Sequence, residues 1–300
     1  MKYSNKYVEK IVNYCNDNPS VPFEFKYEKQ TELPKDRKLV MISNHSGWVA
    51  FDAMVAGNFI ADELAENYKA YTGKKDGEFK QSDFFGIVIH DALSLPPLKY
   101  IFPKEIIEEN AITRKQYVKA LNGGDLDSMP HNFGIFPEDE RGSTKSFLQA
   151  YTLRKFKTGF LRHALATDSD ILINTVVGCE ELFPSLCQVN LSSNSEKPDL
   201  TFPVPLMPLF ANPVTLSLVK NPYYKFTVHE VLPVSVIREK LEAGEDLSSC
   251  AEFVKEKMQK HLDREVHHRP LKLLSKFVNK KMKENGFLDS IWDFNINIKV

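Results

Sequence analysis

An α/β fold in a single domain, with a mostly parallel or mixed central sheet flanked by helices, is predicted by three observations. Short apolar, β-branched runs alternate with segments whose apolar residues recur at helical spacing. No internal repeat or low-complexity linker divides the chain. Its 300 residues suit one large domain or two small ones, since single α/β cores reach roughly 250 residues before splitting. We expect a helical lead-in over 1–37, an α/β core over 38–235, and a helical segment over 236–300 that joins the same domain or packs on it.

In chain order, Lys38 to Ser43 reads as a buried strand that ends where His45 begins. Phe51 to Leu64 has helical spacing with Asp52 in its first turn, where the helix dipole favours a carboxylate. Tyr71 to Asp83, rich in Gly and Lys, reads as a loop, and Ile87 to Leu95 as a strand broken by Pro96-Pro97. Glu109 to Leu121 reads as a helix stopped by Gly123-Gly124, and Asn132 to Pro137 as a short buried strand. Leu153, Phe156, Phe160, Leu161, Ala164 and Leu165 form a helical stripe, followed by a strand from Ile171 to Val177. Tyr224 to Leu232 reads as a late strand, with helices over Val236 to Glu242 and Leu247 to Val266 after it.

Composition excludes several classes. A formal charge of -1 gives no global electrostatic case for nucleic acid, which needs a basic surface to release counterions. Cys15, Cys179, Cys187 and Cys250 contain no CxxC pair, which argues against a zinc knuckle or a secreted disulfide scaffold and favours a reducing, cytoplasmic compartment. Met1 to Lys10 has no apolar core of the kind a secretory signal needs. Leu200 to Val219 is long enough to span a bilayer, but Pro203, Pro205, Pro208 and Pro213 remove backbone donors; it reads as an extended segment, either buried core or an apolar wall facing lipid chains. GxSxG, GxxxxGK[ST] and GxGxxG are missing, and His90, His131, His163, His229, His261, His267 and His268 lack metal-ligand spacing with acids, so no metal and no cofactor is expected.

Two blocks carry the chemistry. In Asn44-His45-Ser46-Gly47-Trp48-Val49-Ala50-Phe51-Asp52 an imidazole follows a strand, where a sheet presents reactive groups at its carboxyl edge. An imidazole takes a hydroxyl proton near neutral pH, and a carboxylate on its other nitrogen, Asp52, would fix the tautomer. The plainer reading is a surface His beside an unrelated Asp. In Phe136-Pro137-Glu138-Asp139-Glu140-Arg141-Gly142 an arginine fork suits phosphate or carboxylate and a neighbouring acid can hold it; the plainer reading is a solvated acidic loop. In a mostly parallel sheet both blocks leave by one edge.

Together these blocks resemble the glycerolipid acyltransferase superfamily, whose members carry an Asn-His-x4-Asp block and later a Phe-Pro-Glu-Gly-x-Arg block. The resemblance is closer to the bacterial branch similar to mono- and diacylglycerol acyltransferases. It extends from about Leu39 to Leu232 through Glu109-Asn110-Ala111, Lys145-Ser146-Phe147, Phe156-Lys157-Thr158-Gly159-Phe160 and Val177-Gly178-Cys179-Glu180-Glu181-Leu182-Phe183-Pro184. It implies a glycerol-3-phosphate acyltransferase-like fold and transfer of a fatty acyl group from acyl-CoA or acyl-carrier protein to a glycerolipid or lysophospholipid hydroxyl. His45 would be the general base, without an acyl-enzyme, and Asp52 would orient it. Asn44, Ser46, Gly47, Glu138, Arg141 and Gly178 would bind substrate.

Three departures stand out. Ala50 occupies the place of the usual acid and Asp52 stands two later; Asp139 replaces the usual Gly; and Lys104 to Glu109 is mostly acidic where an arginine for glycerol phosphate was expected. The acceptor therefore stays open between a neutral hydroxyl and lysophosphatidic acid. A lipid-binding protein that keeps the fold without turnover is the alternative, and an ester hydrolase a third reading. From Leu271 to Lys283, Leu274, Phe277, Val278 and Met282 share a helical face while Lys272, Lys276, Lys280 and Lys283 follow at i+3 or i+4, a pattern suited to peripheral binding on an anionic membrane.

Overall fold

The structure is a computed structural model that describes residues 6–18, 24–45, 51–89, 111–126, 129–139, 142, 145–146, 149–182, 185–192, 200–205, 223–269, 272–273, 276–277, 280 and 295–299. In chain order the strands are β1 (Glu24–Lys29), β2 (Leu39–Ser43), β3 (Phe85–Ile89), β4 (Ala111–Thr113), β5 (Asn132–Ile135), β6 (Asp170–Val177), β7 (Ser185–Ser192), β8 (Leu200–Pro205), β9 (Tyr223–Leu232) and β10 (Asn295–Lys299). The helices are α1 (Lys6–Asp17), α2 (Phe51–Thr72), α3 (Gln81–Phe84), α4 (Arg114–Gly123), α5 (Gly159–Thr167), α6 (Cys179–Leu182), α7 (Val234–Glu242) and α8 (Leu247–Val266).

Among the described residues, seven strands form one sheet in the order β1-β9-β6-β2-β5-β3-β4. Strands β4, β3, β5, β2 and β6 are mutually parallel, whereas β9 runs antiparallel to β6 and carries β1 parallel to itself. The sheet is thus mixed, with a parallel centre. Every residue of β2, β5 and β6 is buried, because helices cover both faces. Val40 and Ile42 of β2 join a core with Phe160 and Leu161 of α5, Ile237 of α7, and Val254, Met258 and Leu262 of α8. Leu39 and Met41 face the opposite core, built with Val8 and Val12 of α1 and Ile60 and Leu64 of α2. Each such fully buried aliphatic side chain contributes about 1.5–3 kcal/mol. A separate three-stranded sheet has the order β10-β7-β8.

The α/β class and the mixed central sheet are as the sequence implied, and several boundaries differ for identifiable reasons. The lead-in over 1–37 is not only helical: β1 follows α1 and pairs with β9 over Glu24–Lys29. Helix α2 continues to Thr72, where Gly73 at φ +73° ends it with its N–H on Lys69 O, so the expected loop begins later and α3 interrupts it. The helix expected from Glu109 starts only at Arg114. Thr113 is its N-cap: Thr113 Oγ1 accepts the Gln116 N–H, Gln116 Oε1 accepts the Thr113 N–H, and Ala111–Thr113 is left to strand β4. Leu153 and Phe156 are in the core as expected but not in a helix. Nearby N–H groups are claimed by distant acceptors, Leu153 by Gln259 Oε1, Arg154 by Glu138 Oε2 and Lys157 by Pro137 O, so no helical ladder forms. Of Leu200 to Val219, the described part is the edge strand β8, which carries Pro203 and Pro205; the rest lies outside the described residues. After residue 236, α8 is buried against β6, and β10 pairs with β7 in the three-stranded sheet.

Candidate active site

Parallel neighbours β2 and β5 bring the two blocks together. Ile42 pairs with Ile135, so His45 and Glu138, each three residues further on, leave the same edge of the sheet side by side. The turn after β2 is fixed first by Asn44, whose side chain spans to β6: Nδ2 donates to Val176 O at 2.9 Å, and Oδ1 accepts the Val176 N–H at 2.7 Å. A fully buried amide needs both ends satisfied, and here one neighbouring residue satisfies them.

His45 is half-buried, with its ring against Phe136 at a centroid separation of 4.6 Å, and its backbone N–H donates to Glu138 Oε1 at 3.2 Å. The turn carrying Glu138 closes with Asp139 N on Phe136 O and Gly142 N on Asp139 O. Asp139 stands at φ +61°, the left-handed region that Asp tolerates better than most residues, which is how it replaces the expected glycine. Its carboxylate turns to Arg114 of α4, 3.2 Å away, and is thereby partly neutralised. Gly142 closes the turn against the imidazole-bearing residue: a Cβ there would lie 2.8 Å from His45 Cβ and 2.9 Å from Glu138 Cβ.

Beneath this turn lies a buried ionic cluster. Glu138 is fully buried, and its oxygens accept from the His45 and Arg154 backbone N–H groups and from Lys145 Nζ, at 3.3 and 3.2 Å for the lysine. Lys145, 2% exposed at its side chain, also lies 3.3 Å from Glu180 Oε1 in α6. Burial pulls the ammonium pKa down, but the two carboxylates outweigh it and the net shift is upward. Burial raises the Glu180 carboxyl. Glu180 accepts the Tyr151 N–H, and the Tyr151 hydroxyl accepts the N–H of Gly178 at 3.2 Å. Gly178 follows β6 as expected, at φ +111°, where a Cβ would fall 1.9 Å from Tyr223 O; only glycine fits.

The structure therefore joins Asn44, His45, Glu138 and Gly178 through the ends of β2, β5 and β6. The polar groups of Asn44 and Glu138 and the Gly178 N–H are engaged within the protein rather than left open at a surface. Asp52 occupies the first turn of α2 as expected, while its side chain, and Ser46, Gly47 and Arg141, lie outside the described residues. Sequence reasoning did not single out Lys145, Tyr151, Glu180 or Gly142 as site residues. The available signal was that Lys145 and Glu180 are charged positions inside the blocks that carry the resemblance. Among the described residues no group of three His, Cys, Asp or Glu side chains could hold a metal.

A His-bearing turn set against a Glu-bearing turn at the parallel edge of a mixed α/β sheet is the setting in which the comparisons fall. The chain belongs to the acyltransferase family: the family's model, described as Acyltransferase, matches residues 24–177, just over half of it. Uncharacterized proteins from Mycobacterium bovis and Mycobacterium tuberculosis are each 26% identical over 193 residues, which cover 61% of this chain and 45% of theirs. One from Mycobacterium leprae is 27% identical over 160 residues, covering 53% and 38%. The chain thus spans less than half the length of these relatives. Among solved structures, the 1-acyl-sn-glycerophosphate (LPA) acyltransferase PlsC from Thermotoga maritima is similar at 15% identity, with a TM-score of 0.46, over 87% of this chain and 80% of that one.

Proposed function

We propose that this protein moves a fatty acyl group from a thioester donor, acyl-CoA or acyl-carrier protein, to a hydroxyl of a glycerolipid or lysophospholipid. The observation that carries the proposal is the His45–Glu138 contact, which places the imidazole residue and the acidic block at one edge of the parallel sheet in a chain of the acyltransferase family. His45 takes the acceptor's hydroxyl proton, and the alkoxide oxygen attacks the thioester carbon. The tetrahedral intermediate then expels the thiolate, which recovers the proton from the imidazolium. Asp52 orients the ring, Arg141 binds the acceptor's polar end, and backbone donors at Ser46-Gly47 meet the oxyanion, where one donor is worth about 3 kcal/mol in other enzymes. Asn44, Glu138 and Gly178 serve the same substrates indirectly, by shaping the edge on which they sit.

The paired Asp139 carboxylate removes part of the electrostatic objection to an anionic acceptor, so neutral and phosphate-bearing acceptors are both tested. No helix among the described residues is long and apolar enough to cross a membrane. We place the protein at the cytoplasmic surface of a membrane, bound peripherally through its C-terminal basic segment.

The test is an incubation of purified protein with mixed acyl-CoAs and a total lipid extract, read by mass spectrometry. New esters that depend on His45 support transfer. Bound lipid without turnover supports the non-catalytic alternative, and free fatty acid supports hydrolysis. Full transfer by His45→Ala would overturn the assignment of the base.

A further inference from the structure

We infer that Lys145 is a positioning residue for the reaction, a buried cation that holds three strand-end turns together and thereby sets His45. The inference rests on the reading of His45 as the base. Lys145 touches Glu138 in the turn after β5 and Glu180 in α6 after β6, and Glu138 in turn accepts the N–H of His45 after β2. All three charged side chains are buried, at 2%, 0% and 7% exposure, so none is on the surface for solubility.

Removing a lysine from water is costly, and a fold keeps one inside only where its partners are held in good geometry. Here the charge does specific work. Glu138 accepts two backbone N–H groups as well as the ammonium, and one of its oxygens is thereby held toward the His45 amide. Without Lys145 the cluster holds two carboxylates and, among the described residues, no cation to pair them. With its cation gone, Glu138 is free to turn away from the second carboxylate, which loosens its grip on the His45 amide. That amide, Phe136 on the ring and Gly142 against the Cβ are among the contacts that locate the imidazole.

The second arm runs through Glu180. It accepts the N–H of Tyr151, which stands at φ +57° with its carbonyl held by Gln259 Nε2 and Lys272 Nζ and its hydroxyl on the Gly178 N–H. One buried ammonium thus links the His45 turn to the Gly178 turn across the middle of the reactive edge.

The experiment compares wild type, His45→Ala, Lys145→Met and Glu180→Gln as full chains. Transfer from palmitoyl-CoA to lipid extract is assayed, and the His45 backbone amide is followed in [15N]histidine-labelled protein. Lys145→Met is expected to lower kcat roughly 10- to 100-fold, because a displacement of about 1 Å at a reacting group has that effect. The KM for palmitoyl-CoA should stay within about twofold, and the His45 amide proton should move upfield while the amides of surface histidines do not. A purely structural lysine would lower the amount of folded enzyme and leave both kcat per folded molecule and the His45 amide unchanged; that outcome overturns the inference. If Lys145→Met does not fold, Glu180→Gln, which keeps an acceptor for Tyr151 while removing one carboxylate from Lys145, is read by the same two criteria. Transfer that survives His45→Ala refutes the base while leaving the amide measurement to judge Lys145 separately.

Discussion

Gly142 has no side chain where one would collide with His45: an added Cβ would sit 2.8 Å from His45 Cβ and 2.9 Å from Glu138 Cβ. These neighbours are the stems of buried or half-buried side chains, which cannot swing aside as a flexible tip does. Gly142→Ala is therefore expected to push the two turns apart, with about 1–3 kcal/mol lost from stability and a larger proportional loss in transfer. Denaturant unfolding beside a transfer assay checks this. Wild-type turnover in the alanine variant would show that the imidazole is not located by this contact.

Glu138→Gln tests the buried ion cluster from the acidic side. The amide still offers an oxygen to one N–H but presents an NH2 group toward the Lys145 ammonium, which keeps only Glu180 as a charged partner. Breaking a buried pair by neutralising one member costs roughly 3–5 kcal/mol. A fall in unfolding free energy of under about 1 kcal/mol would mean the cluster is open to water.

His163 makes stability depend on pH. Its ring is stacked on Phe133 at 4.8 Å and near-parallel to Tyr117, with Nδ1 buried and without a hydrogen-bond partner. Burial, with a smaller push from Lys38, lowers its pKa from 6.5 to about 4. The unfolded chain therefore takes up a proton before the folded one does. The stability this group contributes is complete above pH 6.5 and is lost as the pH falls through about 4, up to about 3 kcal/mol. His131 and His229, also held down near 4 by burial, act in the same direction. The difference in unfolding free energy between pH 7 and pH 4.5 should shrink in His163→Leu; an unchanged difference would assign the acid sensitivity elsewhere.

The proposed membrane contact would rest on fewer of the C-terminal lysines than their sequence pattern suggested. Lys272 is buried, with Nζ on Tyr151 O at 3.1 Å and Asp263 at 3.2 Å, so it braces the fold and faces no lipid. Leu273 and Phe277 are exposed, at 51% and 62%, beside exposed Lys276 and Lys280. Vesicles with anionic headgroups should lose affinity on Lys276→Gln and Lys280→Gln by about 1 kcal/mol each, and on Phe277→Ser, with weaker binding at high salt. Flotation that ignores all three changes would remove this segment from the membrane contact.

From the sequence alone the α/β class was legible, because short apolar, β-branched runs such as Leu39–Ile42 in β2 and Ile171–Ile173 and Val176–Val177 in β6 alternate with segments of helical spacing. The neighbourhood of His45 and Glu138 was also readable, since both follow short strands and parallel strands deliver their ends to one edge. What the spacing of residues left undecided was which charges would meet beneath that edge. Lys145 and Glu180 stand far apart in sequence, and only the order of β2, β5 and β6 in the sheet brings them within an ion pair's length. Local periodicity likewise suggested a helix through Leu153 and Phe156, but their neighbours' N–H groups found stronger claims in Gln259, Glu138 and Pro137. Apolar pattern is a local property of the chain, whereas the partner of a buried polar group is chosen by whatever the folded backbone places beside it.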